Sequence, residues 1–85
     1  MEKGCGSLQY CNQNVGRAIR KLRTQKGLTQ ELLSGFAGIA RTHLAMIENG
    51  CKKPNIETIW KIALALEMTP SELVSQIEEE TKNQD

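Results

Sequence analysis

Apolar residues recur every three or four positions along most of the chain, and each recurrence stops at a turn signal. Val15, Ile19 and Leu22 stand at i, i+4 and i+7, a spacing that lays a buried stripe along one helix face. Asn12 or Asn14 can cap that helix by accepting from its free first-turn N–H groups, and Lys26-Gly27 ends it. Thr29 caps a second helix with the apolar set Leu33, Phe36 and Ala37. Phe36 is assigned to the core; Leu32, its i−4 neighbour, is open between core and exposed patch. Ser34 and Gly35 are small enough to admit the next helix closely, although a glycine inside a helix costs about 1 kcal/mol against alanine. A third helix runs from about Arg41 to Glu48. Leu44 and Ile47 point inward, which puts Arg41, Thr42, Ala45 and Met46 outward with His43 at the edge. After the turn Cys51-Lys52-Lys53-Pro54, Asn55 caps a fourth helix carrying Ile56, Ile59, Ile62, Ala63 and Leu66 on one side and Trp60 and Leu64 on another. A helix apolar on two faces has two partners. The fifth opens Thr69-Pro70-Ser71-Glu72, a cap followed by proline at the first helical position and an acid in the first turn. Its apolar set is Leu73, Val74 and Ile77.

No strand-like alternation of useful length interrupts this pattern, so the chain is all-α: five short helices around one modest core, the size that 85 residues support. Residues 1–11, with Gly4, Gly6 and Ser7, read as a flexible arm. Residues 12–79 form the domain, and residues 80–85 form a polar tail that frays with Glu78 and Glu79. Within the domain, Thr29–Gly50 is two short helices joined through the turn Ala37-Gly38-Ile39, the signature of a helix-turn-helix.

Composition changes this picture only through its distribution. The net charge is +1, but residues 1–53 hold nine cations against three acids and residues 54–85 two against seven. Such a split fits one end facing an anion and one end turned away. Cys5, Cys11 and Cys51 are an odd number without tight spacing and read as reduced thiols. Together with His43 they lack finger-like zinc spacing, so no metal or other cofactor is expected. No apolar run approaches the roughly 20 residues of a membrane span, and no basic-then-apolar leader opens the chain; the expected place is the cytoplasm. No nucleophile–base pair, carboxylate pair or phosphate loop points to an enzyme.

The chain resembles the Cro/repressor-type, or XRE-type, helix-turn-helix family. The residues that carry the resemblance are Ile19-Arg20-Lys21-Leu22-Arg23, Gly27-Leu28-Thr29-Gln30, Leu33, Gly38, Ile47-Glu48-Asn49-Gly50, Pro54, Ile62-Ala63 and Leu66. They span about residues 14–78. Arg41-Thr42, the small size and the final helix are similar to controller proteins of restriction–modification systems. Ser34 departs from the usual alanine, and Leu32 from a usual polar residue.

The resemblance implies a compact lambda-repressor-like domain with the third helix in the DNA major groove. It implies that Arg41, Thr42 and Met46 face base edges: arginine pairs with guanine O6 and N7, and threonine or methionine touches a thymine methyl. Gln30 would bind a phosphate at the start of the second helix, His43 would reach phosphate or a base at the groove edge, and Asn49, Lys52 and Lys53 would hold the backbone. Arg23 and Glu48 would form a structural ion pair. The expected partner is double-stranded DNA, bound by a homodimer that spaces two recognition helices about 34 Å apart. The candidate interface is the remaining apolar surface, Trp60, Leu64, Val74 and Ile77; the alternative is a satellite core between helices four and five. A second functional class is a protein-interaction module, an antitoxin or adaptor using Leu32, Phe36 or Trp60.

Overall fold

The computed structural model describes residues 9–83, and among them five helices and no strand are present. They are α1 (Asn12–Gln25), α2 (Gln30–Ala37), α3 (Arg41–Glu48), α4 (Ile56–Ala65) and α5 (Pro70–Asn83). Their principal contacts close a ring: α1 packs on α3, α3 on α2, α2 on α4, α4 on α5, and α5 back on α1. Val15, Ile19, Leu33, Leu44, Ile47, Ile62, Ala63, Leu66 and Leu73 fill the centre. The expected arm falls outside the described residues as far as residue 8, and the expected tail does so at residues 84 and 85. No helix among the described residues is long and apolar enough to cross a membrane.

The caps explain where several helices begin. Thr29 accepts from the Leu32 N–H at 3.1 Å, and Asn55 accepts from the Thr58 N–H at 2.7 Å. Thr69 and Glu72 satisfy each other reciprocally: the Thr69 hydroxyl accepts from the Glu72 N–H at 3.2 Å, and the Glu72 carboxylate accepts from the Thr69 N–H at 2.8 Å. That exchange uses two otherwise orphaned donors. The cap expected from Asn12 or Asn14 is not made. α1 starts after Cys11 without a side-chain cap, Asn12 Oδ1 is buried without a partner, and Asn14 Oδ1 accepts instead from Arg17.

Four expectations about burial are corrected. Phe36 is 64% exposed, because α2 seats Leu33, Ser34 and Ala37 inward and Phe36 falls roughly 100° round the helix from the centre of that face. Ile56, the first residue of α4, lies outside the core and continues the Trp60–Leu64 row at i, i+4, i+8. The helix approach assigned to Gly35 is not there: a Cβ on Gly35 would meet nothing within 4 Å. The close approach is at Gly16, where an added Cβ would overlap the backbone carbonyl oxygens of Ile47 and Glu48. Finally, α5 does not fray at residues 78–80. It runs to Asn83 with Glu80 and Thr81 buried, and Glu80 pairs with Lys21 of α1 at 2.9 Å.

Candidate nucleic-acid interface

Gly38, at φ +73°, makes the corner between α2 and α3. It occupies the left-handed region that glycine enters without a Cβ clash, and the Ile39 N–H returns to the Ser34 carbonyl at 3.0 Å. α3 then presses Leu44 and Ile47 completely into the core. Its other side is left outside: Arg41, Thr42 and Met46 are exposed, and His43 and Ala45 are half-buried. Ala40 gives α3 no side-chain cap, and its first intrahelical bond runs from the Leu44 N–H to the Ala40 carbonyl. The N–H groups of Arg41, Thr42 and His43 therefore stand at the open, electropositive end of the helix.

One carboxylate fixes how this unit sits. The Glu48 side chain is wholly buried. Arg23 donates to it through Nε at 2.7 Å and Nη2 at 3.0 Å, a two-pronged pair. Gln30 Nε2 donates to the same carboxylate at 2.9 Å, and Arg23 Nη1 donates to the Leu28 carbonyl at 2.8 Å. α1, α2, α3 and the α1–α2 turn thus meet at a single acid. The Arg23–Glu48 pairing follows from the family pattern; the Gln30 bond does not, because spacing along the chain carries no sign of it. Gln30 keeps a second amide proton at the start of α2.

Asn49 caps the C-terminal end of α3 and is exposed, with its Oδ1 accepting from Arg20 Nη2 at 3.4 Å. Lys52 and Lys53 are exposed in the following turn. The Lys53 ammonium lies 5.4 Å from the centroid of the Tyr10 ring, within cation–π range. Burial pushes the Tyr10 phenol above its ordinary pKa, and Cys11 adds to the shift. Cys11 and Cys51 are free thiols.

On α4 and α5, Trp60, Leu64 and Val74 are exposed while Ile77 is half-buried against the core. The four do not line one groove. Leu64 shares an open cavity of about 570 Å³ with Leu28 and Phe36, whereas Val74 and Ile77 share one of about 290 Å³ with Tyr10 and Val15.

The buried two-pronged pair between α1 and α3, with the glycine corner and the outward polar face, is a helix-turn-helix arrangement, and the Helix-turn-helix family model matches residues 19–73. The chain belongs to the helix-turn-helix family. This helix-turn-helix protein is 35% identical over 65 residues to an uncharacterised HTH-type transcriptional regulator of Sinorhizobium fredii, covering 76% of this chain and 84% of that protein. It is also similar to the restriction–modification controller protein C.AhdI from Aeromonas hydrophila (37% identity, TM-score 0.71, 73% of this chain and 94% of that one). A third match is the controller protein C.Esp1396I, solved as a tetramer with its natural 35 base-pair operator (26% identity, TM-score 0.78, 86% of this chain and 96% of that one).

Proposed function

We propose that this helix-turn-helix protein is a sequence-specific transcriptional regulator that binds an operator in double-stranded DNA as a homodimer. The observation that carries the reading is the division of α3: Leu44 and Ile47 hold one side in the core, and Arg41, Thr42 and Met46 present the other to solvent. That outward face enters the major groove and reads base edges. Gln30, His43, Asn49, Lys52 and Lys53 flank it and hold the phosphate backbone. A lone module of this size has a small footprint, and a second copy docked through Trp60 and Leu64, with Val74 and Ile77 at the margin, doubles it. The acidic α5 then faces away from the DNA.

Selection of bound sites from random duplex DNA tests the reading. The expected result is a two-fold symmetric motif with half-sites about one helical turn apart. Arg41→Ala relaxes the motif at one position per half-site and weakens binding there by about 1–3 kcal/mol. A motif unchanged by Arg41→Ala removes the base-reading role.

A further inference from the structure

Lys52 and Lys53 stand side by side in the turn between α3 and α4. Both are exposed, and among the described residues neither pairs with a carboxylate. They differ in one contact: the Tyr10 ring lies against the Lys53 ammonium, 5.4 Å from nitrogen to centroid. We propose that Tyr10 is a positioning residue, which holds the Lys53 ammonium in place for a DNA phosphate through this cation–π contact and so makes Lys53, rather than Lys52, the preformed anion contact of the turn. The inference rests on the DNA-binding reading above and adds to it a residue that acts through another.

The backbone fixes where the two groups meet. The turn leaves α3 with the Gly50 N–H on the Ile47 carbonyl at 3.1 Å and the Cys51 N–H on the Met46 carbonyl at 2.9 Å, and it ends at the Asn55 cap. Gly50, at φ +79°, lies so close to α1 that an added Cβ would stand 2.7 Å from Gln13 Cγ and 3.1 Å from Gln13 Cα. Ahead of α1, Cys11 is extended and its carbonyl accepts from the Asn14 and Val15 N–H groups, each at 3.1 Å. The Gln13–Gly50 contact thus brings together Tyr10, three residues before the one, and Lys53, three residues after the other. With the backbone held at both ends, the freedom left to the turn lies in its lysine side chains, whose rotamers must be fixed when they bind. Tyr10 fixes one of the two in advance.

The choice of partner matters for an anion. A carboxylate in this place would hold Lys53 and cancel its charge. An aromatic face holds the ammonium through its quadrupole and leaves the charge whole, and the N–H donors turned away from the ring stay open. At neutral pH the Tyr10 phenol is uncharged, because burial and then Cys11 raise its pKa, so the contact is with the ring and not with a phenolate. Other cations that reach across elements are matched by acids: Arg23 by Glu48 and Lys21 by Glu80. Those pairs brace helices, whereas Lys53 is restrained without being neutralised. The competing account is that Tyr10 only packs, since it also lines the cavity of Val15, Val74 and Ile77; it needs no lysine.

The test is a double-mutant cycle on affinity for a mixed-sequence duplex: wild type, Tyr10→Leu, Lys53→Gln and both together, with wild type also titrated over a range of salt. Tyr10→Leu is expected to weaken binding by about two- to fivefold, the size of an exposed cation–π contact, and to have no effect once Lys53 is replaced. Lys52→Gln is the control: Tyr10→Leu is expected to cost as much beside it as in wild type. Tyr10→Phe keeps the ring and is expected to keep wild-type affinity. A loss from Tyr10→Leu that persists in the Lys53→Gln background assigns Tyr10 to packing and overturns the proposal. Tighter binding by Tyr10→Leu also overturns it, since the ring would then hold the ammonium off the DNA. If Tyr10→Leu folds poorly, proton NMR of the unmutated protein decides. The ring current is expected to shift the Lys53 ε-methylene protons upfield of those of Lys52, both free and on DNA, and a shift that vanishes on DNA overturns the positioning role. If wild type shows no salt-dependent binding to DNA, the DNA-binding reading fails and the proposal with it; salt-dependent binding with additive effects of Tyr10→Leu and Lys53→Gln defeats the positioning role alone.

Discussion

α3 and α4 bury the same kind of residue and show solvent opposite chemistries. α3 seats Leu44 and Ile47 inward and presents Arg41, Thr42 and Met46; α4 seats Ile59, Ile62 and Ala63 inward and presents Ile56, Trp60 and Leu64. Inward packing is what makes the fold, and it is interchangeable between the two. The outward faces carry the distinction: a row rich in hydrogen-bonding groups suits a polyanion with readable edges, and an apolar row with Trp60 more than half exposed suits another apolar row. The helices also differ in how they are held. α3 is locked to α1 and α2 by the Glu48 carboxylate in addition to its leucine and isoleucine, and α4 is held by apolar packing and its Asn55 cap.

The largest expected effect breaks that difference at Glu48. Glu48→Ala leaves the Arg23 guanidinium, nearly buried, without its acid, and removes the partner of Gln30. Removing one member of a buried pair costs about 3–5 kcal/mol. A denaturant titration is expected to show a loss of that size, whereas Arg41→Ala, on the outward side of the same helix, stays within about 0.5 kcal/mol of wild type. Equal losses from the two substitutions would mean that the outward face of α3 is structural.

The next effect concerns α4. Trp60→Asp places a charge in the middle of the Ile56–Leu64 row and, where that row is a dimer interface, weakens self-association by about 2 kcal/mol or more. Sedimentation is expected to show a shift to monomer, while unfolding of the monomer changes by no more than about 0.5 kcal/mol. An unchanged dimer would move the interface off α4 and onto the separate groove of Val74 and Ile77.

The comparison also marks what sequence makes visible. Helix order, the Gly38 corner, the Thr29, Asn55 and Thr69 caps and the inward pair of α3 were all legible, because caps and corners act within a few residues of themselves; the return bond from Glu72 to the Thr69 N–H was not. Phe36 and Ile56 were not. Periodicity states which residues share a face but not how far the neighbouring helices reach around it: Phe36 lies to the side of the face that Leu33 and Ala37 bury, and Ile56 opens α4 outside the core. Gly16 and Gly35 carry the same helical penalty in sequence, and only the crossing of α1 over α3 shows which of them is needed. Glu80 reads as part of a solvated acidic run because its partner Lys21 lies 59 positions away.

The smallest effect tests the corners. The turn into α3 uses Gly38 at φ +73°, but the turn out of α4 uses Glu67 at φ +62°, where a side chain is strained. The N–H groups of Glu67 and Met68 still return to the carbonyls of Leu64 and Ala63 at 3.0 and 2.9 Å, so the helix closes as it would with glycine. A left-handed residue with a Cβ costs roughly 1–2 kcal/mol, and the extra freedom that glycine has in the unfolded chain takes back part of what its substitution recovers. Glu67→Gly is therefore expected to stabilise the fold by up to about 1 kcal/mol, read as a higher denaturant midpoint at unchanged slope. Gly38→Ala is expected to move the midpoint the other way, since its Cβ would meet no neighbouring atom within 4 Å and the cost is the backbone conformation alone. Opposite signs at two corners of nearly equal φ would isolate backbone strain from packing, and a loss of stability in Glu67→Gly would show that the glutamate side chain, which lines the cavity beside Phe36 and Leu64, holds the corner itself.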